Sequence, residues 1–267
     1  MLEQAAHYRD ECQALHELLL KLPEQQWKRP TQFKGWTTDD VIGHLHIFDH
    51  AAGLTLDSAD AVRAFFTQIV AGGPERLSLI QYTREWLGGC TGHALLARWF
   101  DYSQRLAARF AAEDPTRRVA WGGPDMSVRS CISARQMETW SHGQAQFDLL
   151  GVERVEHDRL RNIAIMGVNT FGWSFANRQL PVPATKPYLR LTAPSGAQWE
   201  WNSLAVADRI EGSAVDFCRV VTQTRNVADT KLRVSGAIAQ HWLAIAQCFA
   251  GPPQDPPPPG ARYRQPA

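Results

Sequence analysis

The sequence predicts a mainly α chain: an up-down four-helix bundle followed by a small α+β unit. Three observations carry this expectation. Four segments of about 20 residues have helical spacing of their apolar positions and recognisable ends. PVPATKP, with three prolines in seven residues, then breaks the chain. Beyond it, apolar and polar residues alternate with the period of a strand.

The first helix occupies residues 1–22, with Leu15, Leu18, Leu19 and Leu22 on one face until Pro23 stops the run. A second starts at about Thr37, an N-cap with Asp39 and Asp40 in the first turn, and continues to about Leu56. A shorter third, DSADAVRAFFTQIVAG, ends at Gly72-Gly73-Pro74. The pattern from His93 to Glu113 is again amphipathic. RRVAWGGPDMS is either a short hairpin or an irregular loop, and VRSCISARQMETWSHGQAQFDLLG is helical until Gly151 caps it. RNIAIMGVNTFGWSFANRQL reads as one further helix. PYLRLTAPSGAQWEWNS is a hairpin about Ser195-Gly196, and SAVDFCRVVTQT and GAIAQHWLAIAQCFAG are helices with a strand, KLRVS, between them. The domain boundaries follow: 1–155 for the bundle, 156–180 for the connecting helix and linker, 181–250 for the α+β unit. Residues 251–267 form a proline-rich tail, expected to be polyproline-like or disordered.

Composition narrows the function classes. The 267 residues carry 28 Lys plus Arg against 27 Asp plus Glu, a formal charge of +1, too balanced for a surface built to bind nucleic acid or an anionic membrane. No stretch reaches the roughly 18 apolar residues of a spanning helix, and MLEQAAHYRDECQ carries charges where a signal peptide needs an apolar core. Five scattered cysteines without a CxxC argue against a disulfide framework or a zinc ribbon, so the expected compartment is the reducing cytoplasm.

GxxxxGK[ST], GxGxxG after a strand, GxSxG and HExxH are all missing, which removes nucleotide loops, the hydrolase elbow and the zincin helix. A helical histidine pattern remains. In RQMETWSHGQ, Glu138 and His142 are four apart and share a helix face, a spacing that serves a shared metal ion or a solvated pair. In GHLHIFDH, His44 lies on the apolar stripe of its helix, while His46 and His50 are four apart on roughly the opposite side. Either His44 turns inward to meet Glu138 and His142, or His46 and His50 form a pair of their own. The plainer alternative is a hydrogen-bonded core His44 and two solvated neighbours. Cys90 and His93 in GGCTGH are set aside as a nucleophile pair because no third, orienting group is identifiable.

GWTTDDVIGHL, followed some ninety residues later by METWSHG, resembles the mycothiol-dependent maleylpyruvate isomerase family, within the larger DinB-like group of metal-binding four-helix bundles. The resemblance covers roughly residues 1–155 and implies a metal site made of His44, Glu138 and His142. Two neutral imidazoles and a carboxylate leave positions open for water or substrate, as in a catalytic site. The implied cofactors are a divalent metal, zinc first with nickel as the alternative, and a low-molecular-weight thiol, mycothiol or glutathione. The implied chemistry is isomerisation or S-transfer on a small carboxylated electrophile. The second half resembles the family's sterol-carrier-like C-terminal domain, and Arg225 in TQTRNVADTKLRVSG matches an arginine important for activity there, suited to clamping a carboxylate. One departure stands out: relatives continue ExxxHG with an Asp two or three residues later, whereas HGQAQFD has Gln144, Ala145 and Gln146 before Asp148. A metal-dependent hydrolase and a non-catalytic metal-binding protein are the competing functions, and pairing into a homodimer is left open.

Overall fold

In the computed structural model, which describes residues 2–72 and 77–266, the chain divides into two units, Met1–Gln146 and Phe147–Ala267. The first contains α1 (Glu3–Leu19), α2 (Thr38–Asp57), α3 (Ala59–Ala71), α4 (Leu79–Trp86), α5 (Gly92–Ala111), a hairpin of β1 (Arg118–Val119) and β2 (Met126–Ser127), and most of α6 (Val128–Leu149). The turn-rich segment before α6 is thus a hairpin. Gly72, left-handed at φ 66°, caps α3; the Gly73-Pro74 stop expected from the sequence lies outside the described residues.

Helices α1, α2, α5 and α6 form the bundle. Their inward faces supply Tyr8, Cys12, Leu15, Leu45, Trp99, Phe110, Ile132 and Trp140, all essentially removed from water. One ion pair lies inside this core: Arg135 Nε donates to Asp49 Oδ1 (2.8 Å), while Trp99 Nε1 donates to Asp49 Oδ2 (2.9 Å). On the other side of α2, Ile47 and Ala51 pack with Val62, Phe65 and Ile69 of α3.

Helix α4 was not anticipated from the sequence. It begins with a capping box in which Ser78 and Gln81 satisfy each other, and it lies against α2 at Gly43, where a Cβ would sit 2.9 Å from Leu87 Cδ1 just past the end of α4.

The second unit holds α7 (Arg161–Asn169), α8 (Phe171–Ala176), β3 (Tyr188–Thr192), β4 (Gln198–Trp201), β5 (Arg209–Ser213), α9 (Ala214–Val221), β6 (Arg233–Ser235) and α10 (Ala237–Ile245). Its sheet has the order β4-β3-β5-β6, with β3 and β4 the expected hairpin and β5 parallel to β3. The helix expected over RNIAIMGVNTFGWSFANRQL is two helices. Thr170 Oγ1 donates back to the carbonyls of Met166 (2.8 Å) and Gly167 (3.1 Å), and the backbone leaves helical geometry there.

The tail also differs from expectation. Residues 251–266 are laid against the second unit: Asn226 Nδ2 donates to Pro257 O (2.8 Å), Arg262 Nη1 to Gln223 O (2.7 Å), and the Gln265 N–H to Asp148 O (2.9 Å).

Candidate metal centre

The turn that enters α2 fixes the first part of the site. Lys34 (φ 53°) and Gly35 (φ 70°) are both left-handed, and this reverses the chain so that Thr31 N–H reaches Trp36 O (2.8 Å). Thr37 then closes a capping box with Asp40: the Asp40 N–H donates to Thr37 Oγ1, and Asp40 Oδ2 accepts from the Thr37 N–H (3.0 Å). Arg84 holds Asp40 from α4 with two hydrogen bonds (2.9 and 3.0 Å). Burial alone would raise the Asp40 pKa, but the bonds from Arg84 and Thr37 outweigh it and hold the carboxyl below its ordinary value.

Helix α6 is registered against α2 on both flanks of the site. Thr38 Oγ1 donates to Gln146 Oε1 (2.8 Å) at one end, and Arg135 meets Asp49 and the Leu45 carbonyl at the other. Between these ties, His44 of α2 and Glu138 and His142 of α6 converge. The His44 and His142 Nε2 atoms lie 3.4 and 3.1 Å from the same oxygen, Glu138 Oε2. The three residues offer ligand atoms all within 4.8 Å of one another, the one such His/Cys/Asp/Glu cluster among the described residues. A tetrahedral ion at about 2.0–2.1 Å from each ligand separates them by roughly 3.3 Å, so these distances match the donor spacing such an ion requires.

The electrostatics suit the same use. Burial, reinforced by His142 and partly opposed by Glu138, pushes His44 down to about 4, so the imidazole is neutral at pH 7. Burial would raise Glu138, but hydrogen bonds from His142 and His44 prevail and hold it well below the usual carboxylate range. A neutral His44 imidazole beside an ionised Glu138 carboxylate is the protonation state a divalent cation needs.

A family model, the mycothiol maleylpyruvate isomerase N-terminal domain, matches residues 8–145. The chain belongs to this family. Two uncharacterized proteins of Mycobacterium tuberculosis, from strains CDC 1551 and H37Rv, are each 39% identical over 248 residues, spanning 93% of this chain and 95% of theirs. Among solved structures, the mycothiol-dependent maleylpyruvate isomerase matches with a TM-score of 0.53 at 14% identity, over 87% of this chain and 92% of that one. A histidine-to-alanine mutant of that enzyme matches at 0.51 and 15%, over 82% and 87%. At such identities the likeness is one of fold.

This member of the maleylpyruvate isomerase family brings together His44, Glu138 and His142, but not the other α2 histidines. His46 and His50 pack against Trp86 and Tyr102. His93 packs edge-on against Trp27, and none of the five cysteines forms a disulfide. Arg225 lies in the second unit, where it donates to Asp148 Oδ1 (2.6 Å) and to Thr224 O (2.9 Å). The first carboxylate after His142, Asp148, is therefore the partner of that arginine.

Sequence reasoning missed the aromatic surroundings. Trp36 stacks on His142 (5.6 Å between centroids, 4° between planes) and leans on His44 (5.2 Å), Phe33 stands perpendicular to His142, and Phe48 meets His44 at 4.7 Å. Two aromatic residues just before an N-cap, and a third four residues after a histidine on the same helix, were the available signal. No helix among the described residues is long and apolar enough to cross a membrane.

Proposed function

We propose that the protein is a metal- and thiol-dependent isomerase or S-transferase acting on a small carboxylated electrophile, with maleylpyruvate as the first substrate to test. The observation that carries this reading is the convergence of His44, Glu138 and His142 at the spacing of a shared divalent ion. Zinc is the leading metal and nickel the alternative, since the donor set suits both. A bound cation of this kind lowers the pKa of an incoming thiol and so supplies a thiolate near neutral pH. The thiol is mycothiol, with glutathione as the alternative.

The chain's own residues prepare that chemistry. His44 is already neutral and loses no proton charge on ligation, and Glu138 provides one negative charge, leaving a net positive site that attracts an anionic thiol or substrate. Arg225 is proposed to bind the substrate carboxylate by exchanging or sharing its contact with Asp148. Five cysteines, none of them in a disulfide, support a cytoplasmic protein. One observation favours a second reading, a metal-binding protein without turnover: the Nδ1 atoms of His44 and His142 are buried without a hydrogen-bond partner among the described residues, so the outer carboxylate frequent at catalytic sites is missing.

Metal content and turnover separate these. Purified protein is expected to carry about one divalent ion and His142→Ala to lose it; full retention in the variant refutes the ligand set. Isomerisation of maleylpyruvate with mycothiol, less with glutathione and none without thiol supports the enzyme, and no turnover with bound metal supports the binding protein. Arg225→Lys should raise KM more than it lowers kcat.

A further inference from the structure

We infer that Trp36, flanked by Phe33 and Phe48, is the positioning residue of the metal centre: aromatic packing orients the two imidazoles in place of hydrogen bonds to outer acceptors. The inference rests on His44, Glu138 and His142 being metal ligands.

The ring nitrogens set up the problem. In both histidines Nε2 faces Glu138 Oε2, so with an ion bound there Nε2 would ligate it and Nδ1 would carry the ring proton. Metal-ligating histidines usually donate that proton to a carboxylate, carbonyl or water, and the bond fixes both tautomer and ring rotation. Here both Nδ1 atoms are buried and have no partner among the described residues. Nor does the sequence place a carboxylate near: Gly143, Gln144, Ala145 and Gln146 follow His142 in turn, Gln146 is engaged by Thr38, and Asp148 by Arg225. Rotation of an imidazole about its Cβ–Cγ bond has broad minima, so something else must hold these rings.

The neighbouring rings do so from several directions. Trp36 lies parallel to the His142 ring at 5.6 Å, so turning the imidazole about its Cβ–Cγ bond gives up that stacked face. Phe33 stands at 86° to the same ring, 4.9 Å away, and so meets it from a different direction. Trp36 also contacts His44 at 5.2 Å, and Phe48, one helical turn on, closes on that ring at 4.7 Å. One indole thus touches both candidate ligands. It is itself anchored, because the Trp36 N–H donates to Phe33 O (2.9 Å), its carbonyl accepts from Thr31, and the next residue is the N-cap of the helix that carries His44. The left-handed Lys34 and Gly35 form the turn that brings Phe33 and Trp36 onto the same imidazole.

The test is a titration of the metal-free full chain with Zn²⁺ and with Co²⁺, whose visible spectrum reports ligand geometry. Trp36→Leu should bind Zn²⁺ about 10–100-fold more weakly than wild type, the range for loss of an outer-shell partner. Its Co²⁺ bands should broaden and shift, and Trp36→Phe should restore most of the affinity and the spectrum. Phe33→Leu should act in the same direction with a smaller effect, and it keeps the test available if Trp36→Leu does not fold. Wild-type affinity and spectrum in Trp36→Leu, or in Phe33→Leu where that variant stands in, overturn the positioning role while leaving the metal site standing. Wild-type protein that binds Zn²⁺ no better than His142→Ala overturns the metal site and the positioning role with it.

Discussion

His46 is almost wholly buried between Trp86 and Tyr102, and burial, then Arg98, then His50 push its pKa down to about 4. His44 is pushed to about 4 as well, by burial and His142 against the opposing Glu138. In the unfolded chain both imidazoles take up protons near 6.5, so between 6.5 and 4 the unfolded state binds more protons than the folded one. Stability from these groups is therefore complete above 6.5, falls as pH drops and levels off near 4. By pH 5 each costs about 2 kcal/mol. Urea denaturation of the metal-free protein should show that loss between pH 7 and pH 5, with His46→Phe removing about half of it; an unchanged pH slope in the variant excludes His46. The ion pair inside the bundle gives a second prediction. Burial raises the Asp49 pKa against the pull of Arg135, so Asp49 can be neutralised when its partner is lost, whereas a guanidinium cannot. Asp49→Asn should therefore cost about 3–5 kcal/mol in a denaturant melt, and Arg135→Met less.

Helix α2 owes its starting point to a few residues that the sequence displays openly. Thr37→Ala removes the cap, and a loss of about 1 kcal/mol in thermal stability is expected. Gly43→Val should drive α4 off α2, because the added atoms collide with Leu87 and Thr83, and the thermal loss should be about 1–3 kcal/mol. The caps and apolar spacings that made α2, α5 and α6 legible are absent or faint where the sequence reading fell short. Helix α4 is eight residues long, so its apolar stripe of Leu79, Tyr82 and Trp86 spans barely two turns and does not stand out, although Ser78 and Gln81 signal its start. Strand β5 buries Ile210 alone and has no alternation to detect. The site was half legible for a related reason. The i,i+4 spacing put Glu138 and His142 together, but α2 is buried nearly all round, with His44 and His46 on different sides and both inside, so no polar face told which histidine met them.

For the second unit, the proline-rich tail is the feature whose composition misleads most. Prolines lack N–H groups, so a proline-rich strand needs few acceptors but leaves its carbonyls to be satisfied. Amide side chains meet that need here. Gln223 Nε2 donates to Gln254 O (2.7 Å), Asn226 Nδ2 to Pro257 O (2.8 Å), Gln247 Nε2 to Pro252 O (3.1 Å) and Asn177 Nδ2 to Gly251 O (3.2 Å). The pattern is unreadable from the tail alone, because the four donors lie in three other places along the chain. Proline also restricts the unfolded tail, so ordering it loses less entropy than ordering an ordinary segment. The Asp229 carboxylate accepts from the Gly260 N–H at the far end of the loop that carries Arg225, and Arg262 holds the Gln223 carbonyl at the near end. Deleting residues 251–267 removes the tail partners of Gln223 and Gln247, both buried, and leaves their Nε2 groups the carbonyls of Ala246 and Phe249; losing the tail bonds costs about 1 kcal/mol each. The truncated chain should melt at lower temperature, and backbone amides of residues 222–229 should exchange hydrogen at least tenfold faster. Unchanged exchange there would mean that the loop orders itself and the tail is a passenger.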